Sequence, residues 1–400
     1  MKILACHNYY QCWGGEDVSF EADVQMLRDY GHEVITLTRD NAEIDRMSRG
    51  RAARKSLWNH ETEAEAREVI RKHRPDVLHC NNLFPMISPS VHRAAKEAGV
   101  PVVQALRNYR YFCPTATLYR NGRVCTDCVK KAIAYPAVMH GCYRGSKLGS
   151  AVVAGVNAYH RYSGNWRVGV DAYFTPSAFA KSVFVDAGMN ATRLHVRTNF
   201  VYPDEGPSDG GGGYAVFVGR LSREKGTETL AEAWEQHKPA LPLKVVGGGD
   251  SPRLARLAKQ DPRVELLGLK PLQETVDLIG AAECLIFSSR WYETFGRTIA
   301  EAYSRGTPVI ASDLGVMSTA VRDGQTGLLI PPGDSRALAD AVNRLAANPS
   351  GTLRMRQLAR QHFVDEFTRE RSYEQLMRVY QAAGVALCAP ESAAHHPASI

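Results

Sequence analysis

Two glutamates bracket a glycine directly after an apolar run of the chain. In RWYETFGRTIAE, Glu293 precedes Phe295 and Gly296, and Glu301 follows them. CLIFSSR before this stretch predicts a buried strand and GRTIAEAYSRG predicts a helix, so Gly296 and Arg297 begin that helix. Their amide groups would stabilise a phosphate. Glu301 could then accept hydrogen bonds from ribose hydroxyls, and Glu293 from a sugar beyond the phosphates, so the pattern predicts a nucleotide-sugar site.

A helix-capping acid followed by an acid on a helix surface is the structural alternative for this pair. That alternative accounts for each glutamate by itself. It gives no reason for Phe295 and Gly296 to stand between them, so the nucleotide-sugar interpretation explains more of the pattern.

Glycine-rich loops follow two further predicted strands. GRLSREKG, residues 219–226, carries Arg220 and Lys225 beside Gly219, and two fixed cations at a strand end could hold a diphosphate. VVGGGD places three glycines, with Gly248 in the centre, where a ligand could approach the backbone closely. A turn with solvated basic residues and a plain loop are the structural alternatives.

The loop after the first predicted strand reads HNYYQCWGGED. It lacks the G-x-G-x-x-G pattern of dinucleotide-binding domains, which argues against an NAD or FAD enzyme. Gly14 and Gly15 precede Glu16 where a helix is predicted to begin, and the amides at a helix start favour an anion. A simple turn before the helix is the alternative.

Both halves of the chain alternate short apolar strands with helices of about 10 to 15 residues. MKILAC, PDVLHCNN and VDAYFTPS are strands of the first half, and YAVFVGR, CLIFSSR and GLLIPPGD are strands of the second. DEGPSDGGGG between the halves predicts a linker. The alternation predicts parallel sheets covered on both faces. The fold class is therefore α/β, with two Rossmann-like, doubly wound domains that face a cleft.

Composition is that of a globular chain of two domains. The 400 residues are 44% hydrophobic and 23% charged. No apolar run reaches the ~18 residues of a membrane-spanning helix, and the N-terminus lacks a signal-peptide pattern. We therefore expect a cytoplasmic protein.

The positive charge of the chain is concentrated in its first half. Residues 1–205 hold 27 Lys+Arg against 20 Asp+Glu, and residues 206–400 hold 22 against 22, which places the whole excess of +7 in the first half. A basic half could attract an anionic substrate or bring the protein to the inner face of an anionic membrane, the alternative being a solvated surface. No nucleic-acid partner is expected, because no zinc-finger, RNP-like or helix-turn-helix pattern accompanies the charge.

Several motifs taken together carry a family resemblance. ETFGRTIAE with its E-x7-E spacing, GRLSREKG, GTPVIASDLG and DGQTGLLIPPGD stand in the second half, and HNYYQCWGGED and RPDVLHCNN in the first. This set resembles the donor and acceptor domains of the retaining glycosyltransferases of family 4, the glycosyl transferases group 1. The resemblance runs to about residue 385. It implies a GT-B fold, a nucleoside-diphosphate sugar donor, catalysis without a metal cofactor, and a final helix near SYEQLMRVYQAA that crosses back onto the first domain.

The resemblance also implies a division of the chain. Residues 1–205 would form the acceptor-side domain, with a cysteine-rich insertion over about 113–142. Residues 206–375 would form the nucleotide-sugar donor domain. Residues 376–400 would hold the end of the crossing helix and a disordered tail.

Roles for single residues follow from the family's pattern. Arg220 and Lys225 would bind the diphosphate and support the leaving group, and Glu293 would contact the transferred sugar. These three form the predicted catalytic set. The residues predicted to bind the donor are Gly15, Arg107, Gly219, Gly248, Phe295, Gly296, Arg297 and Glu301. The residues predicted on the acceptor side are Glu16, His79 and Asn108.

Two positions depart from the family's pattern. ALRNYR places Arg107 where relatives with TLHDYR carry a histidine that contacts the donor sugar. A guanidinium cannot accept a hydrogen bond, although it could pair with a phosphate or a sugar acid. Sugar recognition is therefore altered or activity is impaired. In LGVMSTAV, Val316 and Thr319 replace a glycine and an acid of the relatives' GGxPE, which leaves the donor sugar open.

Four of the nine cysteines have a spacing that suits a metal site. Cys113, Cys125, Cys128 and Cys142 follow the pattern C-x11-C-x2-C-x13-C. Four thiolates satisfy the stoichiometry of a closed structural zinc site, and buried or redox-inert thiols are the alternative. A closed site has no open position, so zinc would fold the loop without catalysing a reaction.

The predicted function is retaining glycosyl transfer. A hexose-type sugar would move from a nucleoside diphosphate to a hydroxyl of a glycan, a lipid-linked molecule or a small-molecule acceptor. Two alternatives stay open. A UDP-sugar 2-epimerase of the same fold is disfavoured by Glu293 and Glu301 together with GRLSREKG. A catalytically silent sugar-nucleotide-binding or scaffold protein is motivated by Arg107.

Overall fold

The computed structural model describes residues 1–387, and its first half is built on a six-stranded parallel sheet. The helices and strands of this half, in chain order, are β1 (Lys2–Tyr9), α1 (Gly15–Asp29), β2 (Glu33–Asp40), α2 (Arg49–Leu57), α3 (His60–His73), β3 (Val77–Cys80), α4 (Ser90–Glu97), β4 (Val102–Ala105), β5 (Tyr119–Arg120), β6 (Arg123–Val124), α5 (Tyr135–Met139), α6 (Lys147–Tyr162), β7 (Ala172–Thr175), α7 (Ala178–Asp186) and β8 (Leu194–Val196). The sheet has the order β2-β1-β3-β4-β7-β8, and β5 and β6 form a separate antiparallel hairpin.

The second half repeats this architecture. Its helices and strands are β9 (Ala215–Val218), α8 (Thr227–Glu232), β10 (Leu243–Val246), α9 (Pro252–Gln260), β11 (Val264–Gly268), α10 (Leu272–Ala281), β12 (Cys284–Phe287), α11 (Arg297–Ser304), β13 (Val309–Ser312), α12 (Met317–Ala320), β14 (Gly327–Ile330), α13 (Ser335–Ala346) and α14 (Pro349–Glu366), and α15 (Arg369–Ala382) ends the described chain. The strand order is β11-β10-β9-β12-β13-β14, and all neighbours are parallel. The predicted pair of doubly wound domains is confirmed.

Local sequence explains where these elements form. All four residues of β12 and of β13 are buried, as expected for apolar strands covered by helices on both faces. Helices begin at residues that cap them: Ser146 Oγ accepts from the Gly149 amide in front of α6, and Asp334 Oδ1 accepts from the Ala337 amide in front of α13. No helix within residues 1–387 has the length and apolar character to cross a membrane.

The final helix returns to the first half of the chain, as predicted. Leu376, Val379 and Tyr380 of α15 are buried in one hydrophobic cluster with residues of β1, α1, β4 and β7. Ser372 Oγ donates to the Thr198 carbonyl over 2.7 Å. The predicted boundary between residues 375 and 376 falls inside this helix. Residues 388–400, most of the predicted disordered tail, lie outside the described residues.

The glycine-rich linker is held against the second half. Arg356 of α14 donates from Nη2 to the Ser208 carbonyl over 2.8 Å and to the Gly280 carbonyl over 3.0 Å. The Gly212 amide donates to the Ala281 carbonyl over 2.9 Å. The linker is therefore anchored to the second half by these hydrogen bonds.

Candidate functional site

The loop after β12 holds a carboxylate with three donors on one oxygen. Glu293 Oε1 accepts from Lys225 Nζ at 2.6 Å, from Ser289 Oγ at 2.8 Å and from Trp291 Nε1 at 2.6 Å. Lys225 comes from the loop after β9, so two strand-end loops meet at this carboxylate. Its ammonium also lies 5.7 Å from the Phe287 ring centre and 5.4 Å from that of Trp291. Two predicted catalytic residues are thus brought together.

Helix α11 carries Glu301, the second glutamate of the pair, and Gly296 stands directly before this helix. Gly296, the residue before the helix, has φ 85°, a left-handed conformation that favours glycine. Arg297 Nε donates to Glu301 Oε1 over 2.8 Å, and Glu301 is only 4% exposed. Phe295 is buried and packs edge-on against Phe367 at 5.6 Å. Phe295 is thus the apolar anchor that holds the helix start in place.

The loops after β9 and β10 stack so closely that side chains are excluded. The Gly219 amide donates to the Val246 carbonyl over 2.9 Å, and a Cβ on Gly247 would lie 1.9 Å from the Gly219 carbonyl oxygen. A Cβ on Gly226 would lie 1.9 Å from the Ser288 carbonyl oxygen, at φ 78°. A Cβ on Gly248 would only press on the Leu269 side chain, at 3.2 Å. Close backbone packing therefore explains the glycines around the basic loop.

Arg220 is the freest member of the predicted catalytic set. Its side chain is 63% exposed, and Nη2 lies 3.2 Å from Glu224 Oε1. An exposed ion pair of this kind contributes little to stability. The guanidinium can therefore turn toward an anion without disturbing the fold.

Contacts between the two halves fix the Glu293 loop, and sequence reasoning did not anticipate them. Thr294 Oγ1 donates to the Arg107 carbonyl over 2.9 Å, and Ser177 Oγ donates to the Thr294 carbonyl over 2.7 Å. The Tyr109 hydroxyl lies 3.5 Å from the Glu293 carbonyl oxygen. These partners are 117 to 187 residues apart in the chain, so no local motif could have shown them.

Arg107 is engaged by groups of its own domain. Its Nη2 donates to Asp23 Oδ2 over 2.7 Å, its Nε donates to Asn81 Oδ1 over 2.9 Å, and its Nη1 donates to Asn199. Arg197 binds the same Asp23 carboxylate from the other side, with Nη2 2.6 Å from Oδ1. Burial favours the neutral acid, but Arg197 and Arg107 together hold the pKa of Asp23 below its usual value. The guanidinium is thus held by its own domain, and Arg107 also lines the cavity that contains Glu16 and Asn108.

The structure joins two of the three predicted acceptor-side residues. Asn108 Nδ2 donates to Glu16 Oε1 over 2.8 Å and to the Tyr10 hydroxyl over 3.2 Å. Gly15 is the first residue of α1, and a Cβ there would meet nothing within 4 Å. Glu16 and Asn108 line a cavity of about 650 Å³ that includes its open mouth. Asn157 of α6 also lines this cavity.

His79 lies apart from that cavity. Its Nδ1 is 2.7 Å from the Tyr380 hydroxyl of α15, in the core of the first half. Burial lowers the pKa of His79 to about 4, so the ring is neutral at pH 7. The assignment of His79 to acceptor binding stays a prediction, and the observed contacts are with the crossing helix.

A buried histidine–aspartate pair organises the first glycine loop, and it was missed from the sequence. His7 Nε2 lies 2.9 Å from Asp17 Oδ1, and both side chains are fully buried. Asp17 also accepts from the Gly14 amide over 2.8 Å and from the Tyr10 amide over 3.2 Å. The aspartate one residue after the GGE triplet was the available signal, because an acid in a helix's first turn can cap it.

The four cysteines of the insertion lie near one another. Burial raises the pKa of Cys128 to about 12, and the neighbouring Cys113, Cys125 and Cys142 thiols add to this rise. Within residues 1–387, no three His, Cys, Asp or Glu side chains are placed to hold a metal ion. The structural zinc site therefore stays a prediction that rests on the spacing of the cysteines.

The insertion reaches the donor side of the cleft. Tyr119 lies on β5, and burial raises the pKa of its hydroxyl; Arg290 opposes this rise and Glu224 adds to it. The hairpin therefore lies within electrostatic range of the loop that carries Arg220 and Lys225. No motif in the hairpin indicates this position.

Known families match both halves of the chain. Residues 14–199 match the glycosyl transferase 4-like domain, and residues 212–348 match the glycosyl transferases group 1. The D-inositol 3-phosphate glycosyltransferase of Corynebacterium urealyticum is 32% identical over 180 residues, which are 42% of this chain and 42% of that protein. The alpha-D-kanosaminyltransferase of Streptomyces kanamyceticus is 28% identical over 213 residues, 52% of this chain and 53% of that protein. The matched region thus spans about half the length of these relatives.

Solved structures share the fold over nearly the whole chain. HepE of Anabaena in complex with UDP superposes with a TM-score of 0.67 at 19% identity, covering 96% of this chain and 100% of HepE. Sucrose-phosphate synthase of Thermosynechococcus elongatus has a TM-score of 0.66 at 20% identity, covering 95% and 98%. Two facing parallel-sheet domains with a returning final helix define the GT-B class. The chain belongs to the group 1 glycosyltransferases of this class.

Proposed function

We propose that the protein is a retaining glycosyltransferase that moves a hexose-type sugar from a nucleoside diphosphate to an acceptor hydroxyl. The single observation that carries this proposal is the contact of Lys225 with Glu293, which comes just before the start of α11, the helix that carries Glu301. A cation, a helix start and two carboxylates in one place match the charges and hydroxyls of a sugar nucleotide. HepE, which shares the fold, has been crystallised with UDP and with UDP-glucose, and this supports a nucleotide-sugar donor.

The reaction needs charge stabilisation more than a nucleophile. The bond from the anomeric carbon to the diphosphate breaks, and a bond from that carbon to the acceptor oxygen forms on the same face. The proton of the acceptor hydroxyl passes to the departing phosphate oxygen. Lys225, Arg220 and the amides at Gly296 and Arg297 would stabilise the negative charge that grows on the diphosphate. No metal is required in this scheme.

Glu293 has a positioning task in this scheme. Three donors converge on Oε1, so its orientation is fixed before any ligand arrives. A fixed acceptor can select sugar hydroxyls, since a misplaced hydroxyl would leave a buried carboxylate oxygen without its partner. The cavity lined by Glu16, Asn108 and Asn157 is the proposed acceptor side. A glycan, lipid-linked or small-molecule hydroxyl is the proposed acceptor.

A catalytically silent sugar-nucleotide-binding protein is the second candidate. Arg107 replaces the family's histidine, and its guanidinium is occupied by Asp23, Asn81 and Asn199. No neutral acceptor is thus offered at that position. Such a protein would bind a sugar nucleotide and release no nucleoside diphosphate.

One experiment separates these functions. Calorimetric titration with UDP, GDP, ADP and dTDP identifies the base, and the matching sugar nucleotides are then incubated with mixed acceptors while released nucleotide is measured. Binding with turnover supports the transferase, and binding without turnover supports the silent protein. Binding of none of the four nucleotides would refute both proposals.

A structural zinc ion is a separate proposal that rests on the spacing of Cys113, Cys125, Cys128 and Cys142. Metal analysis of reduced protein would support it by finding about one zinc per chain, the stoichiometry of a four-thiolate site. That zinc should be lost when Cys125 and Cys128 are both changed to serine. Metal-free protein with an unchanged melting temperature would reject the site.

A further inference from the structure

Helix α6 has apolar residues on two faces: Val153, Ala154 and Val156 are buried, and a second row faces away from the protein. Its exposed positions Leu148, Ala151, Gly155, Tyr159 and Tyr162 follow spacings of three and four residues, so they form one stripe. Leu148 is 75% exposed and Tyr162 is 66% exposed. We name these five residues the α6 stripe. A stripe of this kind on a solvated helix is unusual, because the apolar face normally packs on the core.

Three polar residues of α6 point inward and form hydrogen bonds there. Ser150 Oγ accepts from the Tyr143 amide over 2.8 Å, and Asn157 Nδ2 donates to the Arg110 carbonyl over 2.6 Å. His160 is buried, with Nδ1 3.0 Å from Asn165 Nδ2. The orientation of the helix is therefore fixed by these bonds and by its buried apolar residues, and the α6 stripe is left outside. Within residues 1–387, nothing covers it.

The neighbouring segment extends the apolar surface. Helix α5 packs against α6. Tyr135 at its first position is 52% exposed, Met139 at its last position is 64% exposed, and Ile133 just before the helix is also exposed. Contiguous exposed apolar surface on a single chain marks a site of interaction.

The chain segment that carries the α6 stripe has charge of one sign. Residues 128–170 contain six Lys and Arg and no Asp or Glu. The six cations are Lys130, Lys131, Arg144, Lys147, Arg161 and Arg167, and none of them forms an ion pair with a described residue. Helix α2 packs beside α6 and adds Arg49 and Arg54, which also have no ion pair within residues 1–387. An apolar stripe framed by unpaired cations is complementary to an anionic lipid surface.

We infer that the α6 stripe and its basic frame dock the protein on an anionic membrane, with α6 lying in the plane of the interface. A second copy of this chain fits less well, because a two-fold contact would set the same cations against each other without an acid between them. Nucleic acid would meet the cations but leave the apolar residues without a partner. An acidic protein is a further possible partner, and vesicle flotation distinguishes it from a membrane because it tests lipid binding directly.

Docking in this orientation has a consequence that rests on the proposed function. Val156, Asn157 and His160 on the inner side of α6 line the same cavity as Glu16 and Asn108. One face of a single helix would thus contact the lipid surface while the opposite face borders the proposed acceptor side. A lipid-linked acceptor could present its polar end to the cavity without leaving the membrane.

The test is flotation of the full chain with vesicles. One set holds phosphatidylcholine alone and the other adds about a third phosphatidylglycerol, a composition with a strong negative surface potential. We expect the protein to float with the anionic vesicles, to remain below with the neutral ones, and to be released by high salt. Equal flotation with both sets, or with neither, would overturn the inference.

Matched variants locate the surface. Leu148→Glu combined with Tyr162→Glu should weaken binding to anionic vesicles by more than about tenfold, because burying two carboxylates at the interface is costly. Lys130→Glu combined with Lys147→Glu should do the same through charge. Leu353→Glu, at a leucine of α14 that is 57% exposed, is the control and should bind like the unchanged protein. If all variants float equally, the surface lies elsewhere and the inference fails.

Two further readouts distinguish membrane docking from misfolding and from self-association. Melting temperatures and elution volumes of all variants show whether any is misfolded or whether the stripe holds two copies together. Loss of a dimer in Leu148→Glu without vesicle binding by the unchanged chain would assign the stripe to a second copy. Vesicle binding does not depend on glycosyl transfer, so failure of the transferase proposal leaves this test intact.

Discussion

Lys225 and Glu293 meet at 2.6 Å although 68 residues separate them, and they come from loops that follow two neighbouring strands, β9 and β12. The contact is only partly shielded on the lysine side, where 21% of the side chain is exposed, whereas the Glu293 side chain is 9% exposed. An incoming anion can therefore compete for the ammonium while the carboxylate keeps its donors from Ser289 and Trp291. Lys225 and Glu293 thus place a cation and a hydrogen-bond acceptor side by side before any ligand binds.

Glu293→Gln should slow transfer without unfolding the protein. Glutamine keeps the length of the side chain but removes the negative charge to which Lys225, Ser289 and Trp291 donate hydrogen bonds. Loss of one preorganised group costs about 10²-fold or more in rate. Initial rates of nucleotide release measure the effect. Glu274→Gln, at an exposed glutamate of α10, is the control. A rate within about twofold of the unchanged enzyme would remove Glu293 from the mechanism.

Glu301→Ala should weaken nucleotide binding. The buried carboxylate is the predicted acceptor for ribose hydroxyls, and loss of such hydrogen bonds costs about 1 to 3 kcal/mol. Calorimetric titration with the nucleotide that the unchanged protein binds gives the value directly. Glu274→Ala supplies the matched surface change. Unaltered affinity in Glu301→Ala would mean that the carboxylate serves only its contact with Arg297.

Asp23→Ala should destabilise the first half of the chain by about 3 to 5 kcal/mol, the range for removing one partner of a buried ionic cluster. Arg107 and Arg197 would both lose their shared carboxylate. Urea denaturation followed by circular dichroism measures the change. Asp76→Ala, at an exposed aspartate, provides the comparison. A loss no larger than that of the comparison variant would show that water replaces the carboxylate.

The stability of the protein should fall as the pH is lowered from about 6.5 toward 4. Burial lowers the pKa of His79, of His92 and of His160 to about 4. Below the unfolded pKa of about 6.5, each of these rings is protonated in the unfolded chain but stays neutral in the folded chain. Each ring therefore lowers the free energy of unfolding by up to about 1.4 kcal/mol per pH unit as the pH falls. Above that pH the three rings do not change the free energy of unfolding with pH.

His92→Gln tests one of these rings. Free energies of unfolding at several pH values should show a shallower decline between pH about 6.5 and 4, by up to the slope of one group. His60→Gln, at an 84% exposed side chain, should leave the decline unchanged. An identical decline in both variants would contradict the assignment to buried His92.

Gly226→Ala should damage both the fold and the site. Its φ is 78°, and the added Cβ would lie 1.9 Å from the Ser288 carbonyl oxygen, so the backbone between Lys225 and α8 must move. We expect a loss of about 1 to 3 kcal/mol in stability and weaker nucleotide binding. Gly50→Ala on α2, where a Cβ meets nothing within 4 Å, should instead be neutral or slightly stabilising. Equal behaviour of the two variants would be the contrary result.

The sequence predicted what local patterns control. Apolar runs located the strands. The glycines were expected to leave room for a ligand, and the structure adds close backbone contacts at Gly226 and Gly247. The helical pattern of GRTIAEAYSRG placed Glu293 in a loop and Glu301 in α11, as observed. These features depend on residues a few positions apart, which a single sequence displays.

Partnerships between distant residues were beyond sequence reasoning. Arg107 was expected to bind the donor, and this stays a prediction; its guanidinium is bound to Asp23, 84 residues earlier, which no local pattern indicated. His79 was expected near the acceptor, and it contacts Tyr380, 301 residues later. Such pairs form because a fold brings strand ends and a returning helix together, and no spacing rule encodes them. The same holds for the bonds of Thr294 with Ser177 and Arg107.

The returning helix also sets an order of events at the ribosome. Tyr380 and Leu376 complete a hydrophobic cluster that contains Ile3 and Phe174, and 175 residues separate Arg197 from its partner Ser372. The first half of the chain leaves the exit tunnel long before those residues are translated. Part of the hydrophobic interior of the first half therefore stays exposed to solvent while the second half is synthesised and folds. The N-terminal domain therefore closes when α15 emerges, and not when the first domain itself has emerged.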